Sequence, residues 1–189
     1  MDNLEKRFAT GSQFDLKPKS RDITGTAILF NVQTLIGGRF YELILPEAVT
    51  PELLKQDIRC LFNHDQNLIL GRTKSGTLKL TKTNSALEYD VTVPKTHTGD
   101  DLLENLRLKN ITGSSFTFVV DEDIWSKLPN GKSLRTITKI KYLYDVSPVT
   151  FPAYPTTIVG LRSYLNKGLV TLSEMKRKLR LNEIKIKSL

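Results

Sequence analysis

Apolar and polar positions alternate along much of the chain, in short runs separated by turn-forming residues. This alternation is the pattern of half-buried β-strands. It predicts strands over 23–30, 39–45, 58–63, 67–71, 76–81, 87–93, 111–120 and 134–146. The residues before Asp22 show no clear period, so a flexible arm is expected over 1–21.

Helical patterns are predicted in three places: a single turn at 51–55, a helix at 99–108 and a basic amphipathic helix at 171–182. The first follows Thr50 as cap, the second Thr98 as cap, and the third begins with the capping-box pair Thr171 and Glu174. Many strands and few helices favour an α+β, β-rich architecture, a barrel or sandwich with peripheral helices.

The length of the chain limits the number of domains, and the distribution of its charge bears on the kind of partner. The 189 residues suffice for one domain with a hydrophobic core and a short appendage. Seven of the 28 basic and two of the 20 acidic residues lie in 164–189, a net of +5 in a chain of net charge +8. The rest of the chain is nearly balanced, so a nucleic-acid partner is not favoured.

The sequence also argues against several classes of protein and of functional site. No apolar run approaches a membrane-spanning helix, and the first residues lack the apolar segment of a secretory signal. Cys60 is the only cysteine, and its apolar neighbours predict a buried, unreactive thiol in a cytoplasmic protein. Phosphate-binding and dinucleotide motifs are missing and His64 and His97 lack zinc-site spacing, so no cofactor or metal is expected.

A small set of residues has the chemistry of a hydrolase. A reactive serine needs a base, most often an imidazole held by a carboxylate or a second imidazole. His64 follows the strand at 58–63, Asp145 lies near the end of another, and strand alternation puts Ser115 on the face opposite the aromatic core positions. Each residue alone is more often structural, so the local pattern indicates a serine hydrolase only if folding brings them together.

Four sequence blocks resemble the motifs of the tailed-phage prohead (procapsid) maturation protease family, in the family's order. They are GTAILFN at 25–31, LFNHD at 61–65 with LGRTKSGTL at 70–78, GSSFTF at 113–118, and DVSPVTFPAYP at 145–155. The resemblance covers residues 22–163, where it implies a protease domain. Residues 164–189 are then a basic helical tail.

The resemblance implies a serine endopeptidase with a β-barrel fold similar to herpesvirus assemblin. By motif, Ser115 is the nucleophile and His64 the general base. The family motif is commonly G-M-S-F, and this chain has a second serine in place of the methionine, so Ser114 is the alternative nucleophile. Asp145 is the preferred third residue, whereas assemblins use a second histidine, here His97. Backbone N–H groups or Arg72 are the candidate oxyanion donors.

The family also implies where the protein acts and on what. The substrate is expected to be the scaffold segment of the capsid protein or a separate scaffold protein, inside the prohead in the host cytoplasm. A homo-oligomer and self-cleavage of the tail are compatible with this assignment, and no membrane partner is expected. The alternative is a non-catalytic assembly or scaffolding protein of the same fold, whose basic tail binds acidic scaffold.

Overall fold

The computed structural model describes residues 4–9, 14–16 and 20–151. Within them, eleven strands form two sheets. The larger sheet contains β1 (Leu4–Phe8), β4 (Thr34–Ile36), β5 (Phe40–Ile44), β6 (Arg59–Leu61), β7 (Ile69–Arg72), β10 (Gly113–Lys127) and β11 (Ser133–Val149). The smaller contains β2 (Asp15–Leu16), β3 (Asp22–Leu29), β8 (Leu78–Lys82) and β9 (Ala86–Thr92).

Helical structure is limited to short segments among the described residues. A 3-10 turn covers Pro46–Ala48, α1 covers Pro51–Leu54 and α2 covers His97–Arg107. Thr50 caps α1 as predicted, with its side chain accepting a hydrogen bond from the Leu53 N–H. The cap of α2 is Thr96, not the predicted Thr98, because the chain is still extended at Thr96 and its hydroxyl accepts from the Gly99 N–H at 3.1 Å.

The β-rich α+β class is confirmed, but the described strands do not close into the predicted barrel. The larger sheet has the order β1-β10-β11-β5-β4, and β6 joins β11 beside β5 and then pairs with β7. The long strand β11 therefore has two parallel neighbours in succession, β5 at Ser133–Ile137 and β6 at Asp145. The sheet branches along β11 instead of returning on itself. The predicted helix at 171–182 lies outside the described residues.

The two sheets share one hydrophobic core. Its members include Ile23 and Tyr89 from the smaller sheet and Phe116, Phe118 and Val146 from the larger. Truncation of a fully buried aromatic such as Phe118 to alanine typically costs about 3–5 kcal/mol. This packing fixes β10 and β11, which carry most of the candidate residues.

Strand β1 corrects the prediction that no regular element precedes Asp22. Residues Leu4–Phe8 lie antiparallel to β10, with Phe8 opposite Ser115. The buried positions of β1 hold Glu5 and Arg7, so the hydrophobic alternation that marks a strand is missing there. The division of the chain into arm, protease domain and tail remains a prediction.

Candidate active site

Strands β10 and β11 place four polar side chains together. In their antiparallel register Ser115 is opposite Ser147 and Thr117 is opposite Asp145. Opposed residues and residues two apart along a strand project to the same face. All four side chains are buried, and they form a polar square between two strands whose other faces pack in the core.

His64 reaches this square from β6. Arg59 on β6 lies opposite Asp145, and the chain then leaves the sheet in a tight turn. Asn63 and His64 both have left-handed backbone angles, with φ of 55° and 60°. Such angles are uncommon for residues other than glycine and cluster at functional sites. The histidine is thus in a turn beyond the end of β6, not at the strand end itself.

The turn that carries His64 is hydrogen-bonded to the end of β11 and the residue after it. The Asn63 N–H donates to the Pro148 carbonyl at 3.0 Å. The Thr150 N–H donates to the Asn63 side-chain oxygen at 2.8 Å, and the Asn63 amide nitrogen donates to the Thr150 hydroxyl at 3.1 Å. These contacts hold the imidazole over the polar square.

Three residues predicted from separate strands are in hydrogen-bond contact. His64 Nε2 lies 2.8 Å from Ser115 Oγ, and His64 Nδ1 lies 2.5 Å from Asp145 Oδ1. A carboxylate can only accept, so the Nδ1–H of His64 donates to Asp145. In a neutral imidazole this leaves the Nε2 lone pair directed at the Ser115 hydroxyl.

Two neighbouring hydroxyl groups, neither of them predicted from the sequence pattern, complete the contacts. Ser147 Oγ donates to Asp145 Oδ1 at 2.5 Å and accepts from the Leu61 N–H at 3.3 Å. Thr117 Oγ1 lies 3.2 Å from His64 Nδ1. Strand parity was the available signal, because Thr117 and Ser147 each lie two positions from a predicted site residue.

The alternative residues lie elsewhere. Ser114 projects from the other face of β10, where its hydroxyl is 3.1 Å from that of Tyr89. His97 is exposed at the first residue of α2, and Asp145 is the residue that contacts His64.

Arg72, a predicted oxyanion donor, donates from Nε to Asp57 at 2.7 Å. Hydrogen bonding to Arg72, together with the positive charges of Arg59, Arg72 and Lys74, lowers the pKa of Asp57 to about 2.

Cys60 is buried, as predicted, and it lies next to the site. It is 0% exposed on β6. Burial, with a smaller contribution from the charge of Asp145, raises the pKa of its thiol. The thiolate that a nucleophilic cysteine needs is therefore strongly disfavoured.

An open cavity of about 660 Å³ lies beside the imidazole. It is lined by His64, Asp145 and Tyr144, and on the side of β1 by Leu4 and Lys6. Hydrogen-bond donors, acceptors and apolar groups thus surround a space large enough for several side chains.

The described residues contain neither a candidate membrane-spanning helix nor a candidate metal-binding cluster. No helix in this part of the chain is long and apolar enough to span a membrane. Among residues 4–9, 14–16 and 20–151, no group of three or more His, Cys, Asp or Glu side chains is arranged to hold a metal ion.

Both the fold and the sequence of this chain are similar to those of known proteins. The structure is similar to that of the bacteriophage T4 capsid assembly protease, gp21, with a TM-score of 0.51 and 14% sequence identity, covering 80% of this chain and 99% of that chain. At that identity the likeness concerns the fold alone. No curated protein matches the sequence significantly. Residues 12–168 match the model of the caudovirus prohead serine protease family. Since this match covers most of the chain, the protein belongs to the caudovirus prohead serine protease family.

Proposed function

We propose that this protein is the serine endopeptidase of phage prohead maturation, with Ser115 as nucleophile, His64 as general base and Asp145 as the carboxylate that orients the imidazole. The observation that carries this proposal is the continuous pair of hydrogen bonds through His64, 2.8 Å to Ser115 Oγ and 2.5 Å to Asp145 Oδ1. A nucleophile, a base and an orienting group in this order form the arrangement that activates a serine for acyl transfer.

The chemistry follows from the proton positions. His64 Nε2 takes the proton of Ser115 as Oγ attacks the carbonyl carbon of the scissile peptide. The resulting imidazolium is stabilised by Asp145, and it passes the proton to the leaving amine as the C–N bond breaks. The acyl-enzyme ester is then hydrolysed by a water that His64 deprotonates in turn. The burial of Asp145 keeps bulk water from weakening its interaction with His64.

The proposed substrate is the scaffold segment of the capsid protein or a separate scaffold protein, cleaved inside the prohead in the host cell. The family description and the name of the T4 capsid assembly protease support a substrate of this kind. The catalytic body is proposed to span residues 22–163, with a fold related to assemblin.

Co-expression with the matching capsid and scaffold proteins tests the proposal. Cleavage should fall by a factor of about 10⁴ or more in Ser115→Ala and in His64→Ala, because loss of a nucleophile or base removes the whole unit. Asp145→Asn should retain more activity than either, since loss of the carboxylate usually costs less.

Ser114→Ala is the matched control for the nucleophile. It removes a hydroxyl from the adjacent position, whose contact is Tyr89, and should leave cleavage near the wild-type rate. Loss of cleavage in Ser114→Ala together with full cleavage in Ser115→Ala would reverse the assignment. If neither the capsid nor the scaffold protein is cleaved by the wild type, the non-catalytic assembly role is favoured.

A further inference from the structure

Strand β1 closes the candidate nucleophile off from solvent. Ser115 is 0% exposed, with Phe8 opposite it in the β1–β10 register. Its hydroxyl donates to the main-chain carbonyl oxygen of Arg7 at 2.7 Å. A polypeptide substrate cannot reach Ser115 while β1 occupies this position.

The contact with Arg7 also competes for the proton that catalysis needs. A serine hydroxyl has one proton, and both the Arg7 carbonyl and His64 Nε2 can accept it. The Arg7 carbonyl presents its oxygen to Oγ, whereas attack requires access to the carbonyl carbon. Arg7 is therefore placed as an inhibitory contact and not as a peptide in position for cleavage.

The edge of β10 beside Ser115 suits an extended peptide. One edge of β10 is paired with β11 throughout, and the other is paired with β1 from Ser115 to Val119. Extended peptides commonly bind by adding a strand to such an edge. We propose that this edge receives the extended chain of the substrate, and that β1 is an intramolecular blocking strand which must leave first. The inference rests on the protease function proposed above.

Besides its main-chain pairing with β10, β1 is held in place by charged side-chain contacts more than by apolar ones. The Arg7 guanidinium donates to Glu42 from Nε at 2.5 Å and from Nη2 at 2.8 Å. The Arg135 guanidinium donates to Glu5 from Nη1 at 2.8 Å and from Nη2 at 3.0 Å. The main hydrophobic cluster of the described residues includes no residue of β1.

This mode of attachment suits a strand that exchanges. The desolvation of buried ion pairs offsets much of their attraction, so their net contribution is small compared with apolar packing. Glu5 and Arg7 leave together as a neutral pair. Glu42 and Asp123 then remain bonded to Arg135, at 3.0 Å and 2.8 Å, so each remaining buried charge keeps a partner of opposite sign.

A reversible cross-link in the full-length chain tests the blocking role. Leu4 and Val119 are directly opposed, and opposed Cα atoms about 4.5–5.5 Å apart are within disulfide range. In Leu4→Cys/Val119→Cys, oxidation should slow labelling of Ser115 by a fluorophosphonate at least tenfold, and reductant should restore the rate. The native Cys60 is buried and does not interfere.

A second cross-link controls for rigidity elsewhere. Thr81 and Glu88 are opposed in the β8–β9 pair of the smaller sheet. Oxidation of Thr81→Cys/Glu88→Cys should leave the labelling rate unchanged. Equal labelling of the oxidised and reduced β1 cross-link would overturn the blocking role and leave the protease function standing.

Amide exchange tests β1 independently of catalysis. If the β1 amides exchange and the chain is still neither labelled nor able to cleave in co-expression, the protease function fails. The β1 amides should exchange at least tenfold faster than those of β9, and oxidation of the Leu4→Cys/Val119→Cys chain should slow them. Protection equal to that of β9 would overturn the inference.

Discussion

Ser147 shows how a single hydroxyl that does not react can determine the site geometry. It donates to the Asp145 carboxylate and accepts from the Leu61 N–H, so it links β11 to β6, the strand that leads to His64. The Asp145 carboxylate, bonded to both Ser147 and His64, keeps the His64 imidazole in one tautomer and one orientation. Under the proposed mechanism, Ser147 is therefore a positioning residue.

We expect Ser147→Ala to lower kcat about 10- to 100-fold with little change in KM, since a hydrogen bond to a charged group contributes about 1.5–3 kcal/mol. Steady-state kinetics on a peptide that spans the cleavage site would measure both constants. Ser133→Ala is the matched control, because Ser133 is a buried serine of the same strand whose hydroxyl has no hydrogen-bond partner among the described residues. An equal loss of kcat in both variants would contradict the positioning role.

At the scale of an element, the turn after β6 carries His64, the proposed general base. Its left-handed angles at Asn63 and His64 cost energy, and the bonds from Asn63 to Pro148 and Thr150 offset this cost. Asparagine tolerates the left-handed region better than most residues. The conformation of the turn thus depends on Asn63 as well as on β6.

Asn63→Ala should destabilise the fold by about 1 kcal/mol more than Asn63→Gly, because only glycine adopts the left-handed conformation without strain. Urea denaturation measures the difference, and kcat should be lower in the alanine variant. Asn31, with φ of 59°, provides the control pair. Asn31→Ala and Asn31→Gly should show a similar stability difference with equal kcat. A kcat loss in Asn31→Ala as large as in Asn63→Ala would contradict the local role of the turn.

Secondary structure was largely predictable from local pattern. Alternation located β3, β8, β9 and the cores of β10 and β11, and Thr50 with Pro51 located α1. It failed at β1, where the buried side chains are charged. Strand parity also assigned Ser115 and Ser114 to opposite faces, and their contacts with His64 and Tyr89 agree.

At the scale of the whole molecule, a buried charge cluster joins four strands of the larger sheet. It consists of Glu5 and Arg7 on β1, Glu42 on β5, Asp123 on β10 and Arg135 on β11. Burial alone would raise the pKa of Glu42, but Arg7 and Arg135 outweigh it and hold the pKa below its ordinary value of 4.5. Ionised Glu42 therefore stabilises the folded chain.

Acid should weaken this cluster. Stability from Glu42 is complete above its unfolded pKa, and it is lost as pH falls below about 4.5, since the unfolded chain then binds the proton more readily. We expect the free energy of unfolding to fall in this range in urea titrations. Glu42→Gln should be less stable at pH 7 and show a shallower slope below pH 4.5. Glu104→Gln, at an exposed ion pair on α2, should keep the wild-type slope.

Local sequence was sufficient for most strands other than β1, β2 and β4. It was also sufficient for the short helix α1, the faces of β10 and the motif blocks that indicate the family, because each depends on neighbours a few positions apart. The contacts of the site depend on pairing between distant segments. The selection of Asp145 over His97 follows from the parallel pairing of β6 with β11. The cover that β1 forms over Ser115 follows from the register of β1 with β10. Periodicity carries no information about such registers, because it records which face is buried and not which strand lies beside it.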